Sequence, residues 1–219
     1  MKISRRKQTM KIAVLGAGNV GTTLGKRFVE VGHSVVFGVR DPQAERYRQR
    51  AEEAGGSVAT VHEAAQGAAA VLLAVGGEVA VDVVREAGDL TDKVLLDATN
   101  PLGPSPSGDW EWFTDAGGSL SEQIAEAAPG AHVFKVFATV GVEVMKDPVY
   151  DGRRAFLPVA GDDPENKPMV LELAKSLGFE AVDAGPLHNA RLLEFSAYLW
   201  IQLAGGGLGR DFAFGLLRR

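Results

Sequence analysis

The 219-residue chain contains no cysteine, which excludes disulfides, iron–sulfur clusters, thiolate nucleophiles and cysteine–zinc sites. No metal is expected. It also lacks a long apolar run: Phe195 to Leu203 is cut short by Gly205 to Gly207 and by Arg210-Asp211, well below the roughly 20 residues a spanning helix needs. A membrane is therefore not an expected partner. Nor is there a cationic excess, since 23 Lys+Arg face 28 Asp+Glu for a net charge of −5, so no global field holds a nucleic acid. Any anionic ligand must be gripped locally. Residues 1–10 carry Lys2, Arg5, Arg6 and Lys7 but no apolar stretch of the secretory kind. They read as a flexible tail, with Met10 as an alternative start, and a cytoplasmic location is the expectation.

What is present is ordinary globular composition, 46% hydrophobic and 23% charged, on a chain the size of one large domain. Lys11 to Leu15 is a short apolar run that stops at Gly16, and Val20, Leu24, Phe28 and Val31 recur at helical spacing. Gly32 ends that helix, and Ser34 to Gly38 supplies a second strand, completing a βαβ unit. Alternation continues with a helix at Gln43 to Ala54, a strand at Ser57 to Thr60, a helix from His62, and strands at Ala69 to Val75 and Val94 to Ala98 separated by a helix at Val79 to Glu86. Unbroken apolar strands are those buried on both faces, as in a parallel sheet covered by helices. Beyond the Pro/Gly/Ser-rich stretch Asn100 to Asp109, which reads as a functional loop or lid, come a helix at Ser119 to Ala128 and strands at His132 to Ala138 and Ala155 to Ala160. A helix at Pro164 to Leu177, a strand at Glu180 to Asp183 and a helical last 30 residues complete the reading. The expected fold class is α/β, a Rossmann-type doubly wound, mostly parallel sheet with a small C-terminal helical element. The expected division is a nucleotide-binding domain over 11–185 and a C-terminal element over 186–219.

Gly16-Ala17-Gly18-Asn19-Val20-Gly21 is G-x-G-x-x-G placed between a strand and a helix. Gly16 permits a tight turn, Gly18 lets the backbone approach a pyrophosphate, and Gly21 lets the helix pack close to the strand. The helix N-terminus then offers free N–H groups to the phosphates. At the end of the second strand an NAD site would carry Asp or Glu; this chain has Gly38-Val39-Arg40. A guanidinium there suits a 2′-phosphate, so NADP(H) is the expected cofactor. Asp41 could instead pair with Arg40, turn toward the ribose or cap a helix before Pro42.

On these residues, and on Asp97 to Leu102 (DATNPL), Lys135 to Gly141 (KVFATVG), Ala160 to Pro164 (AGDDP), Asp183 to Arg191 (DAGPLHNAR) and Gly205 to Phe214 (GGGLGRDFAF), the chain resembles a known family. It is that of the coenzyme F-420 (deazaflavin):NADP reductases, related to the nucleotide domain of the six-transmembrane metalloreductases. The resemblance implies a Rossmann domain, a C-terminal portion forming the acceptor pocket and a homodimer contact, and hydride transfer between NADPH and a deazaflavin (coenzyme F-420) or flavin-type acceptor. The chain departs from the pattern at Val39, where members often carry serine or threonine, and Trp110, Trp112 and Trp200 have no match in a deazaflavin-binding set.

Ligands of doubly wound sheets lie at the carboxyl ends of the strands. By that rule Ala74, Val75, Gly76, Thr99, Asn100 and Pro101, and then Phe137, Ala138 and Thr139, face the nicotinamide half. His188, in a turn after the last strand, and Lys135, which interrupts an apolar strand, are the candidate catalytic groups. Arg191 and Arg210 could meet an anionic tail on the small-molecule acceptor. Hydride transfer to a stacked ring needs orientation and dryness rather than a strong acid. Two alternatives stand beside it: an NADPH-dependent reductase of a small carbonyl or imine substrate, and a non-catalytic NADP-binding redox sensor.

Overall fold

A computed structural model describes residues 9–104, 110–114 and 118–219, with the side chains of Pro104 and Trp110 outside the description. Residues 1–8 of the expected tail and 105–109 of the expected lid lie outside the described residues. The chain runs β1 (Lys11–Leu15), α1 (Asn19–Glu30), β2 (Ser34–Gly38), α2 (Glu45–Glu53), β3 (Ser57–Ala59), α3 (Val61–Gln66), β4 (Ala70–Leu73), α4 (Gly77–Ala87) and β5 (Val94–Asp97). A small hairpin, β6 (Leu102–Pro104) and β7 (Trp110–Trp112), precedes α5 (Leu120–Ala127), β8 (His132–Lys135) and α6 (Val142–Lys146). A second two-strand ribbon, β9 (Val149–Tyr150) and β10 (Arg153–Arg154), leads to β11 (Phe156–Gly161), α7 (Lys167–Ser176), β12 (Glu180–Asp183) and, after one 3₁₀ turn, α8 (Ala190–Leu203).

The main sheet has eight strands in the order β12-β11-β8-β5-β4-β1-β2-β3. All neighbours are parallel except β11 against β8. Alternate residues of the central strands feed two separate cores: Ile12, Val14, Leu72, Leu96 and Phe134 cluster with residues of α1, α2, α6 and α7, while Ala13, Leu15, Val71, Leu73 and Leu95 cluster with residues of α3, α4 and α5. This period-2 division lets β4 and β5 read as unbroken apolar runs, since neither face meets water. Register brings Leu15, Gly38, Leu73, Asp97 and Lys135 into one row at the carboxyl edge. The winding direction reverses between β1 and β4, which opens a crevice there.

Three local readings are corrected. The stretch after Asn100 is paired: Leu102 lies opposite Trp112 and Gly103 opposite Glu111. The strand expected to run to Ala138 ends at Lys135, because Phe137 takes a left-handed φ of 64°. The last 30 residues are not helical throughout. α8 stops at Leu203 and runs into a wide turn, Ala204–Leu208, where Gly207 has φ +110°. A glycine run propagates helix poorly, and a φ of that sign is favourable only without a Cβ. The chain then folds back: Trp200 Nε1 donates to the Phe212 carbonyl at 3.0 Å, and the Phe156 N–H donates to the Phe214 carbonyl at 2.9 Å. Among the described residues no helix is long and apolar enough to cross a membrane.

Candidate functional site

The turn between β1 and α1 is built as its glycines require. Gly16 has φ +107°, and a Cβ there would stand 2.5 Å from the Ala74 carbonyl oxygen. Its N–H donates to the Gly38 carbonyl at 3.0 Å, tying the turn to the end of β2. A Cβ on Gly21 would lie 2.1 Å from the Gly16 carbonyl oxygen, so α1 approaches the turn as closely as backbone permits. In front of Gly18 there is open space. α1 has no side-chain cap and no acidic residue in its first turn, leaving its leading N–H groups and the positive end of its dipole available to an anion.

From this turn extends a cleft of about 740 Å³, within the range of cofactor sites. Gly16, Ala17, Gly18, Asn19 and Val20 form its floor, and Val39 and Arg40 stand at the end of β2. Arg40 is exposed and makes no hydrogen bond or ion pair with any described residue, so it is free to meet a ligand. Asp41 does not take it. Its Oδ1 accepts from the Gln43 N–H at 3.0 Å in a local turn, and α2 begins later, behind Ala44. The cleft therefore fits a phosphorylated dinucleotide: open glycine, orphan amides and an uncommitted guanidinium at the strand end.

Two features of the walls are not evident from the motif. Arg50, on α2, reaches back to the turn and donates from Nη1 to the Ala17 carbonyl at 2.9 Å. Across the cleft, α4 presents Glu78, Asp82 and Glu86, one per helical turn, with Val79 and Val83 between them. That acidic spacing was visible in the sequence; its direction was not.

Ala74, Val75 and Gly76 line the cleft as the strand-end rule expects, joined by Ala98. Asn100 and Ala138 meet each other, Asn100 Nδ2 donating to the Ala138 carbonyl at 3.0 Å. Pro101 is buried beside them, and the Thr139 hydroxyl and Asn100 Oδ1 are buried without hydrogen-bond partners among the described residues. These residues are not among the cleft walls. Phe137 is corrected: its ring is 1% exposed and sits in the core, 6.2 Å from the Phe28 ring and 6.0 Å from that of Phe179. The left-handed backbone at this residue accompanies the ring's placement among apolar partners.

Neither candidate catalytic group reaches the cleft. Lys135 is sealed from solvent, where Nζ meets Asp97 Oδ2 at 2.9 Å, Glu194 Oε1 at 3.2 Å and the Thr99 carbonyl at 2.5 Å. Asp97 also accepts from the Thr99 N–H and hydroxyl and from the Ser121 hydroxyl, while Glu194 accepts from the Leu120 and Ser121 N–H groups. Burial pushes the Glu194 carboxyl up, with the charge of Asp97 adding to it against the pull of Lys135. His188 is exposed, its Nδ1 3.1 Å from Glu122 Oε1. Burial raises Glu122, but hydrogen bonds from His188 and Ser119 outweigh it and hold the carboxyl below its usual range. Arg210 pairs with Glu143 at 3.2 Å and lies over the Trp200 ring.

Comparison with known proteins agrees with this geometry. Residues 11–101 match the family model for NADP oxidoreductases, coenzyme F420-dependent. A solved structure from Arthrobacter sp. FB24, described as a proposed F420-dependent NADP reductase, is 33% identical, covers 95% of this chain and 100% of its own, and superposes with a TM-score of 0.88. Metalloreductase STEAP3 of Rattus norvegicus is 30% identical over 191 residues, 86% of this chain. The chain spans 36% of that relative's length. A reductive aminase from Aspergillus terreus, solved with NADPH and ethyl-5-oxohexanoate, shares the fold at 19% identity and a TM-score of 0.66, covering 91% of this chain and 64% of its own.

Proposed function

This chain belongs to the coenzyme F420-dependent NADP oxidoreductase family, and we propose that it moves a hydride between NADPH and a planar deazaflavin or flavin-type acceptor. The observation that carries the reading is the cleft itself. A phosphate-accepting glycine turn and an uncommitted Arg40 stand at one end, and no histidine or lysine is found among its described walls. Reduction of a carbonyl or imine calls for a proton donor at the reacting carbon's partner atom, commonly Lys, His or Tyr. Tyr47 is the one such group among the described walls, on α2 next to the turn that would hold the phosphates. Hydride transfer to a ring acceptor asks only for stacking and exclusion of water. NADPH supplies the hydride from its nicotinamide. The chain supplies the phosphate grip at Gly16 to Gly21 and Arg40, and the close-packed strand ends at Ala74 to Gly76 against which the ring would rest.

The acceptor pocket is assigned to the C-terminal segment together with the β6–β7 hairpin, where Trp112 stacks on Phe195 at 4.7 Å. The homodimer is assigned to α8, whose Leu192, Phe195, Leu199 and Leu203 form one exposed apolar stripe. Absorbance and mass spectrometry of the purified protein, followed by NADPH-oxidation assays, test the reaction. Turnover with F420 or a free flavin supports it. Turnover of ketoacids or imines without any flavin would transfer the chain to the carbonyl and imine reductases, and tight NADPH binding with no oxidation at all would make it a sensor. Sedimentation at 23 kDa alone would remove the dimer.

A further inference from the structure

Arg50 sits in the last turn of a nine-residue helix with a single buried residue, Ala51, so packing does not require a long side chain there. It nevertheless spans 33 positions of sequence to bind the carbonyl of Ala17, inside the glycine turn. Two consequences follow from the chemistry of the groups. The carbonyl oxygen of Ala17 carries a partial negative charge beside the place where phosphates would rest, and Arg50 offsets it while keeping its own positive charge. A guanidinium has five N–H donors in one plane, and this bond uses Nη1, while Arg50 Nε and Nη2 have no partner among the described residues. Arg50 also stands at the junction of two hollows. It lines the nucleotide cleft and, with Asn19, a second groove of about 480 Å³ along the outer face of α1, which contains Lys26 and Lys146 and the carboxylates of Glu30 and Glu53.

Resting on the cofactor reading above, we infer that Arg50 is a diphosphate-binding residue that sets affinity for NADPH and NADH alike, whereas Arg40 is the main determinant of the preference between them. The division follows from what each guanidinium is fastened to. Arg50 is bonded to the turn that holds the diphosphate, which both dinucleotides possess. Arg40 stands apart at the end of β2, where only a 2′-phosphate distinguishes the two ligands. A charge bonded to the turn's own backbone is also preorganised, and preorganised charge loses little in rotamer freedom on binding.

Equilibrium titrations of NADPH and NADH, read by nicotinamide fluorescence on the wild-type, R50M and R40A proteins at low and high KCl, test the division. R50M is expected to weaken both nucleotides by about tenfold, equally, with a smaller loss in high salt because a charge acting on phosphates is screened. R40A is expected to weaken NADPH alone. An R50M loss confined to NADPH would give Arg50 to the 2′-phosphate and overturn the assignment. Unchanged affinities would overturn it too, as would a loss indifferent to salt, which marks a mere prop for the turn. If R50M does not fold, R50K keeps the charge and is expected to bind both nucleotides more weakly than wild type in the same proportion; an unequal loss counts against the proposal. A wild-type protein that binds neither nucleotide removes the cofactor reading and this assignment with it.

Discussion

Lys135 Nζ lies 2.9 Å from Asp97 Oδ2 with both side chains wholly buried at the carboxyl edge of the sheet. Their strands are neighbours in register, and the same ammonium holds the Thr99 carbonyl and reaches Glu194 on α8. One buried cation thus joins β5, β8 and α8. Replacing it leaves two carboxylates in a dry interior with no counter-charge. Lys135→Met is therefore expected to cost about 3–5 kcal/mol of unfolding free energy, the range for breaking a buried ion pair from one side. Urea denaturation measures it, and a loss below about 1 kcal/mol, the level of a surface pair, would show that the carboxylates find other partners.

Stability should also depend on pH through Glu194. Its carboxyl is raised by burial, so the folded state holds its proton at pH values where the unfolded chain has released it. The contribution is then fully present below the ordinary glutamate range and is lost as pH rises through the raised value. Glu194→Gln, which cannot titrate, is expected to flatten that part of the stability profile. Parallel profiles for the two proteins would contradict the direction assigned here.

The two glycines of the turn should fail differently. A Cβ at residue 18 meets nothing within 4 Å, whereas one at residue 21 would strike the Gly16 carbonyl oxygen. Gly18→Ala is expected to keep the wild-type melting temperature and bind NADPH more weakly. Gly21→Ala is expected to lose stability as well, by about 1–3 kcal/mol, as overpacked sites do. Thermal melts and nucleotide titrations on the same samples separate them, and equal melting temperatures for the two variants would contradict the close approach of α1.

Arg40→Ala should remove most of the preference for NADPH over NADH, about 1–3 kcal/mol for a charge-assisted pair. The ratio of kcat/KM values for the two nucleotides reports this. An unaltered ratio means that the 2′-phosphate is held elsewhere.

The turn was legible in the sequence because its requirements are local: Gly16 and Gly21 stand where a positive φ and a carbonyl contact leave no room for a Cβ. Arg40 was legible because it stands two residues beyond the end of its strand, Gly38. Arg50 was not, since nothing in its helix records that it meets a carbonyl 33 residues earlier. Lys135 announced itself as a charge within an apolar strand, but its partners lie 38 positions before it and 59 after, at Asp97 and Glu194. Phe137 misled because strand-end logic assumes that the strand continues; the φ of 64° turns it into the apolar cluster of Phe28 and Phe179. The last 30 residues misled because their apolar residues suggested a helix throughout, while Gly207 and Gly209 both adopt positive φ and redirect the chain.

The carboxylates of Glu78, Asp82 and Glu86 face a turn and two arginines that favour negative charge. Such a crevice has a polarity, like a keyed socket. A long ligand whose anionic groups are gathered on one side can lie in it in only one sense, because inverting the molecule would set those groups against α4 and strip them from the amides. Which end of the ligand arrives at Ala74 to Gly76 is then fixed by electrostatics before any ring is recognised.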